Sequence, residues 1–200
     1  MKNVVKLIAG CLPTLAIAVA IWASMRLGLI PPEQKTESDM QALFLRIENY
    51  TATNGHSPGT LADLDGQPDS KYCDAWGVPF EYIPQRDGSI VLKSLGARGE
   101  NNIRILRFSM VNRTDASEWK AAGDTVICLL HTERQIRNYV MVHRELPLNL
   151  THFLYSTDGW GTMLSYDVTP DHHVRLTSYG KPGTTQLFSL EFSVPELAQP

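Results

Sequence analysis

Asp74-Ala75-Trp76-Gly77-Val78-Pro79-Phe80-Glu81-Tyr82 returns 84 residues later as Asp158-Gly159-Trp160-Gly161, with Tyr166 in the place of Tyr82. Held without a gap over residues 74–109, the same offset lays Asp87 on Asp171, Leu92 on Leu176, Ser94 on Ser178, Gly96 on Gly180 and Gly99 on Gly183. Leu106, Phe108 and Ser109 then fall on Leu190, Phe192 and Ser193. Twelve identities in thirty-six positions, with the rare Trp and several Gly among them, mark an internal duplication. Upstream the offset becomes 89, with Asn49-Tyr50 on Asn138-Tyr139 and Pro58 on Pro147. The five extra residues of the first copy fall at Asp65-Gly66-Gln67-Pro68-Asp69, a turn-rich stretch that a surface loop tolerates.

Each copy reads as one helix followed by three strands. Ser38-Asp39-Met40-Gln41 is a capping-box start, Met40, Leu43, Phe44, Ile47 and Tyr50 follow at helical spacing, and Asn54-Gly55 is a stop. Strands are predicted over residues 78–83, 89–93 and 103–108, the first two joined across Arg86-Asp87-Gly88. In the second copy Val126, Leu129, Leu130, Ile136, Tyr139 and Val140 supply the helix face. Its strands are predicted over 162–168, 173–178 and 186–192, with Phe188, Leu190 and Phe192 alternating to one side. Residues 111–122 read as the connector, with a boundary near Ala116. The predicted fold class is α+β: an N-terminal membrane anchor or signal segment over residues 1–32, then two tandem modules over 36–112 and 116–195. Each module is one helix packed on a small three-stranded antiparallel sheet.

With 43% hydrophobic and 20% charged residues the chain is globular, and a net charge of −3 supplies no cationic footprint for nucleic acid. Residues 7–25 carry no charge and are long enough to cross a bilayer, Lys2 and Lys6 precede them, and Arg26 interrupts an apolar continuation to Ile30. That polarity places the remainder outside the cytoplasm, as a single-pass inner-membrane protein with its soluble part in the periplasm. Ala18-Val19-Ala20 offers the alternative of a cleaved signal and a periplasmic or secreted product, and Ile8-Ala9-Gly10-Cys11 is a short lipoprotein-like box. An oxidising compartment permits Cys73 and Cys128 to pair and link the modules, two free thiols being the alternative.

Tyr50, Pro58, Asp74-Ala75-Trp76-Gly77-Val78-Pro79-Phe80-Glu81-Tyr82 and Ser94-Leu95-Gly96-Ala97-Arg98-Gly99 together resemble the C-terminal globular region of the major, G-type pseudopilin of type II secretion systems. The match covers residues 39–102 in the first copy. In the second copy, over 122–192, it keeps chiefly the Trp-Gly, Tyr and Ser-x-Gly positions. The resemblance implies a non-catalytic envelope protein with an assembly, docking or scaffolding role, linked to secretion or pilus-like machinery. Its implied partners are envelope proteins such as secretion or pilus subunits, and the inner membrane through the N-terminal segment. The alternatives are a periplasmic adaptor or binding protein unrelated to secretion, or an enzyme using the inter-module cleft. The family's loop is also one that binds calcium. Here Arg98 stands where an Asp is expected, beside Leu95, Glu100 and Asn101, and the second copy has Lys181-Pro182-Gly183-Thr184-Thr185, so neither calcium nor any other cofactor is predicted.

The recurring Asp74, Trp76, Gly77, Tyr82, Ser94 and Gly96, with Asp158, Trp160, Gly161, Tyr166, Ser178 and Gly180, read as structural: a core Trp, a Gly for a tight turn and an Asp for backbone donors. His152, Ser156 and Asp158 can be drawn as a nucleophile triad, and Asp171-His172-His173 as a metal cluster, but neither sits in a supporting motif. Glu133, Arg134, Arg137, Arg144 and Glu145 read as a solvated mixed-charge helix face.

Overall fold

The computed structural model describes residues 30–97, 103–110, 115–151, 153–169 and 173–194. The chain divides into two compact units, residues 1–35 and 36–200. Of the first, only its last six residues are described. They hold the start of helix α1 (Pro32–Asn54), which begins six residues before the predicted capping box. Pro32 opens this helix, a place where its missing N–H costs nothing. The membrane segment read over residues 7–25 lies outside the described residues.

The second unit alternates helix and hairpin. After α1 come two short 3-10 turns (Leu61–Leu64 and Asp69–Lys71), then strands β1 (Glu81–Pro84), β2 (Ser89–Ser94) and β3 (Arg104–Ser109). Helix α2 (Ala116–His143) follows, then β4 (Ser165–Val168), β5 (His173–Ser178) and β6 (Phe188–Ser193). Every strand of the second half starts 84 residues after its counterpart. An isolated bridge precedes each first strand, at Cys73 and Pro79 and again at Thr157 and Met163. Most of the stretch read as a connector is helical. Asp115 caps α2 by accepting from the Ser117 N–H at 2.9 Å, and Ala116 onward is helix.

The two-module fold class is corrected by the sheet. Among the described residues there is one antiparallel sheet of six strands in the order β1-β2-β3-β6-β5-β4, instead of two of three. β3 pairs with β6, matching Arg104 to Phe192, Leu106 to Leu190 and Phe108 to Phe188. Leu106 and Leu190 are equivalent residues of the duplication, so this pair lies on a local two-fold axis relating the halves. The physical reason is that β3, with fully buried Leu106 and Phe108, would be an unpaired apolar edge in a free-standing module. Its own repeat supplies the missing neighbour.

One face of the sheet carries Ile90, Leu92, Leu106, Phe108, Val174, Leu176, Phe188, Leu190 and Phe192, all essentially inaccessible to solvent. Met40, Leu43, Phe44 and Ile47 of α1 and Val126, Leu129, Leu130, Ile136 and Val140 of α2 join them in a single core. The Phe44 and Phe108 rings meet edge to face at 4.8 Å. Because this core spans both halves, we expect one cooperative unfolding transition in urea, seen alike by far-UV circular dichroism and Trp fluorescence. Leu190→Ala should lower its free energy by about 2–5 kcal/mol. Two separable transitions would show that the halves fold independently.

Candidate functional site

The repeated Asp is a fastening device in both halves. Asp74, almost fully buried, accepts the N–H groups of Trp76 and Val78 on Oδ1, each at 3.0 Å, and the Ser94 hydroxyl on Oδ2 at 2.9 Å. Asp158 does the same with Trp160 at 2.9 Å, Thr162 at 2.8 Å and Ser178 at 2.6 Å. Each Ser in turn accepts from the glycine two residues on, Gly96 or Gly180. Gly77 and Gly161 hold positive φ of 77° and 79°, the left-handed turn that closes the loop around the carboxylate. Helix threonines complete the joint: Thr36 accepts from Ala75 N–H at 3.1 Å, and Thr125 from Gly159 N–H at 2.9 Å. A Cβ at Gly159 would stand 2.0 Å from the Ala121 carbonyl oxygen, so α2 sits directly on this loop. Trp160 is half-buried against the core near Phe188, and Trp76 is also half-buried.

Above the sheet the halves diverge. Arg104 and Glu133 are wholly buried and paired at 2.6 Å, and Arg137 reaches the same Glu133 oxygen at 2.7 Å while its guanidinium lies over the Phe192 ring. The expectation of a solvated charged face is therefore corrected for Glu133 and Arg137, which face the core. Arg134 is half-exposed and pairs with buried Glu37 of α1. The duplication contains the signal: offset 89 puts Glu133 on Phe44 and offset 84 puts Phe188 on Arg104, so each member of the ion pair stands where the other half has a Phe. Burial pushes the Glu133 carboxyl upward, but the guanidinium groups of Arg104 and Arg137 outweigh it and hold Glu133 below the usual carboxylate range. Burial raises Glu37, against the opposing pull of Arg134.

A second divergence opens a groove. In the first half the Tyr82 hydroxyl donates to the Pro58 carbonyl at 2.7 Å, tying the post-helix loop to β1. The five-residue insertion is folded into the same region, with Tyr72 donating to Asp65 at 2.6 Å and Asp69 accepting from Ala62 N–H at 2.7 Å. In the second half, which lacks the insertion, the buried Tyr166 hydroxyl makes no such bond. A groove of about 240 Å³ lies between Leu148, Asn149, Leu150 and Thr151 on one side and Met163, Leu164 and Tyr166 on the other. Leu148 is 98% exposed and Met163 56%. Burial pushes the Tyr166 phenol up to about 12.

The remaining residues singled out from sequence do not converge. His152, Asp171 and His172 lie outside the described residues, as do Arg98, Glu100 and Asn101 of the loop after half-buried Leu95. Ser156 accepts Leu164 N–H through its carbonyl, and the Asp158 carboxylate is committed to the bonds above. His173 Nδ1 lies 3.5 Å from Glu191 Oε1 on the sheet surface. Among the described residues no group of three or more His, Cys, Asp or Glu is placed to hold a metal ion. Cys73 and Cys128 are free thiols; Cys73 donates to the Ser70 carbonyl at 3.0 Å, and burial raises the Cys128 thiol.

No family model, curated protein or solved structure matches the chain. The comparisons thus give no evidence of homology to a secretion system. The expectation of a single-pass inner-membrane protein is corrected: among the described residues no helix is long and apolar enough to cross a membrane.

The buried cluster sets a pH dependence. A depressed Glu133 stabilises the fold above the carboxyl's ordinary value of 4.5 and loses that contribution as pH falls through its folded value. Glu37, raised, acts in the opposite direction, its contribution being lost as pH rises through its folded value. Glu133→Gln should cost about 3–5 kcal/mol at neutral pH, since it leaves buried guanidinium groups uncompensated. In urea titrations from pH 7 to pH 3 the variant should lose stability less steeply than the parent, whereas parallel profiles would show that Glu133 is not the acid-sensitive group.

Proposed function

We propose that this chain is a non-catalytic docking or assembly protein, built from two fused halves similar to the pseudopilin globular domain. Its second half is the partner-binding half. The observation that supports this reading is the contrast between equivalent places. The first half closes its post-helix loop with the Tyr82 to Pro58 bond, and the second leaves an apolar groove with exposed Leu148 and Met163 at its rim. Exposed apolar side chains gathered beside a concave surface mark an interaction site more often than isolated ones do. The buried carboxylates Asp74, Asp158 and Glu133 are all engaged in internal bonds that hold loops and helices to the sheet.

A photo-crosslinking residue placed at Met163, or at the equivalent exposed position Pro79, separates the halves in native cells. Docking through the second half is expected to yield defined protein adducts at position 163 that are absent at 79 and lost on Leu148→Asp. Equal patterns at both positions, or none at either, would contradict it.

A further inference from the structure

The two edges of the sheet differ in a way that names the partner's chemistry. In an antiparallel pair, residues alternate between those that exchange backbone hydrogen bonds with the neighbouring strand and those whose groups point away from it. Gln85 N–H donates to the Ser89 carbonyl at 2.8 Å, so residues 81, 83 and 85 bond to β2, and Tyr82 and Pro84 face outward. Thr169 N–H donates to the His173 carbonyl at 2.8 Å, and by the same alternation Tyr166 and Val168 face outward from β4. Pro84 has no N–H, which blunts the β1 edge against strand addition. At the equivalent position of the second half stands Val168, whose N–H is intact. Among the described strands, β4 is an edge with an open N–H and C=O on both outward residues.

A segment laid along that edge has its side chains assigned by the register. The residue paired with Tyr166 projects to the same side as Tyr166, which is a wall of the groove, and so is delivered to the apolar lining. The next residue projects to the other face, opposite Asp167. Asp167 is exposed, and its cross-strand neighbour Arg175 gives its guanidinium to Glu191 at 2.7 Å instead. The carboxylate therefore calls for a cation. A second copy of β4 fits poorly. The two-fold antiparallel register that uses the open groups of both Tyr166 and Val168 sets Asp167 directly against Asp167 of the other copy, a repulsive pair.

We infer that β4 takes up an extended segment of a partner polypeptide by strand addition, with a Lys or Arg facing Asp167 between two apolar residues. The inference rests on the docking reading above and specifies its occupant.

The test uses the full chain and fluorescein-labelled peptides Thr-Val-Lys-Val-Thr and Thr-Val-Glu-Val-Thr, followed by anisotropy. The Lys peptide should bind about threefold more tightly than the Glu peptide, and Asp167→Lys should reverse the order. Val168→Pro, which copies Pro84, should weaken the Lys peptide about tenfold, as should N-methylation of the peptide backbone, which leaves the protein untouched. Absence of binding by either peptide at millimolar concentration would overturn strand addition. So would binding indifferent both to Val168→Pro and to N-methylation, or an order unchanged by Asp167→Lys. Concentration-dependent dimerisation abolished by Val168→Pro would overturn it in favour of a second copy. If adducts form at Met163 while the peptide experiments fail, docking stands and strand addition falls.

Discussion

The antiparallel pairing of β3 with β6 is the constraint on which the rest of the molecule depends. Leu106 and Leu190 face each other across it as a pair that exchanges no hydrogen bond, the arrangement that brings side chains closest. Since the two are equivalent residues of the duplication, the pairing joins each half to its own repeat about a two-fold axis. The third strand of each half thereby becomes central and fully covered. The first strands, β1 and β4, become the sheet's edges, so the surfaces that can differ in function are those farthest from the axis.

Around that axis the duplication has been kept where it fastens loops and changed where it meets the helices. The Asp, Ser and Gly joints are the same in both halves, bond for bond. Over the sheet, Phe44 of the first half corresponds to Glu133 of the second, and Arg104 of the first to Phe188 of the second. A sheet with two-fold symmetry would accept its two helices in either arrangement. The swapped one would set Phe44 over Arg104 and leave a buried guanidinium without its carboxylate, at a cost of about 3–5 kcal/mol. The Arg104, Glu133 and Arg137 cluster thus tells the helices apart.

Much of the local structure was legible in the residues. The Trp-Gly repeat, the Arg86-Asp87-Gly88 turn and the alternation of Phe188, Leu190 and Phe192 each point to a particular element by turn chemistry or periodicity. The single sheet was not legible, because whether β3 pairs with β6 is a long-range choice that leaves no local pattern. The buried cluster was missed for a related reason: Glu133 and Arg137 stand at the i, i+4 spacing of a surface ion pair, and only the alignment of Glu133 with Phe44 shows that this spacing lies on a core-facing side. The groove was missed because it arises from an absence, the five residues that the second half lacks.

Native-state hydrogen exchange tests the single sheet most directly. The amides of Ile105, Arg107, Ser189 and Glu191 carry the hydrogen bonds of the β3 and β6 seam. They are expected to exchange only through global unfolding, with the same free energy as the slowest amides of both halves. The outward amides of Tyr166 and Val168 are expected to exchange by local opening, orders of magnitude faster. Seam amides that exchanged as fast as those edge amides, or two halves with different limiting free energies, would contradict a fold held together at β3 and β6.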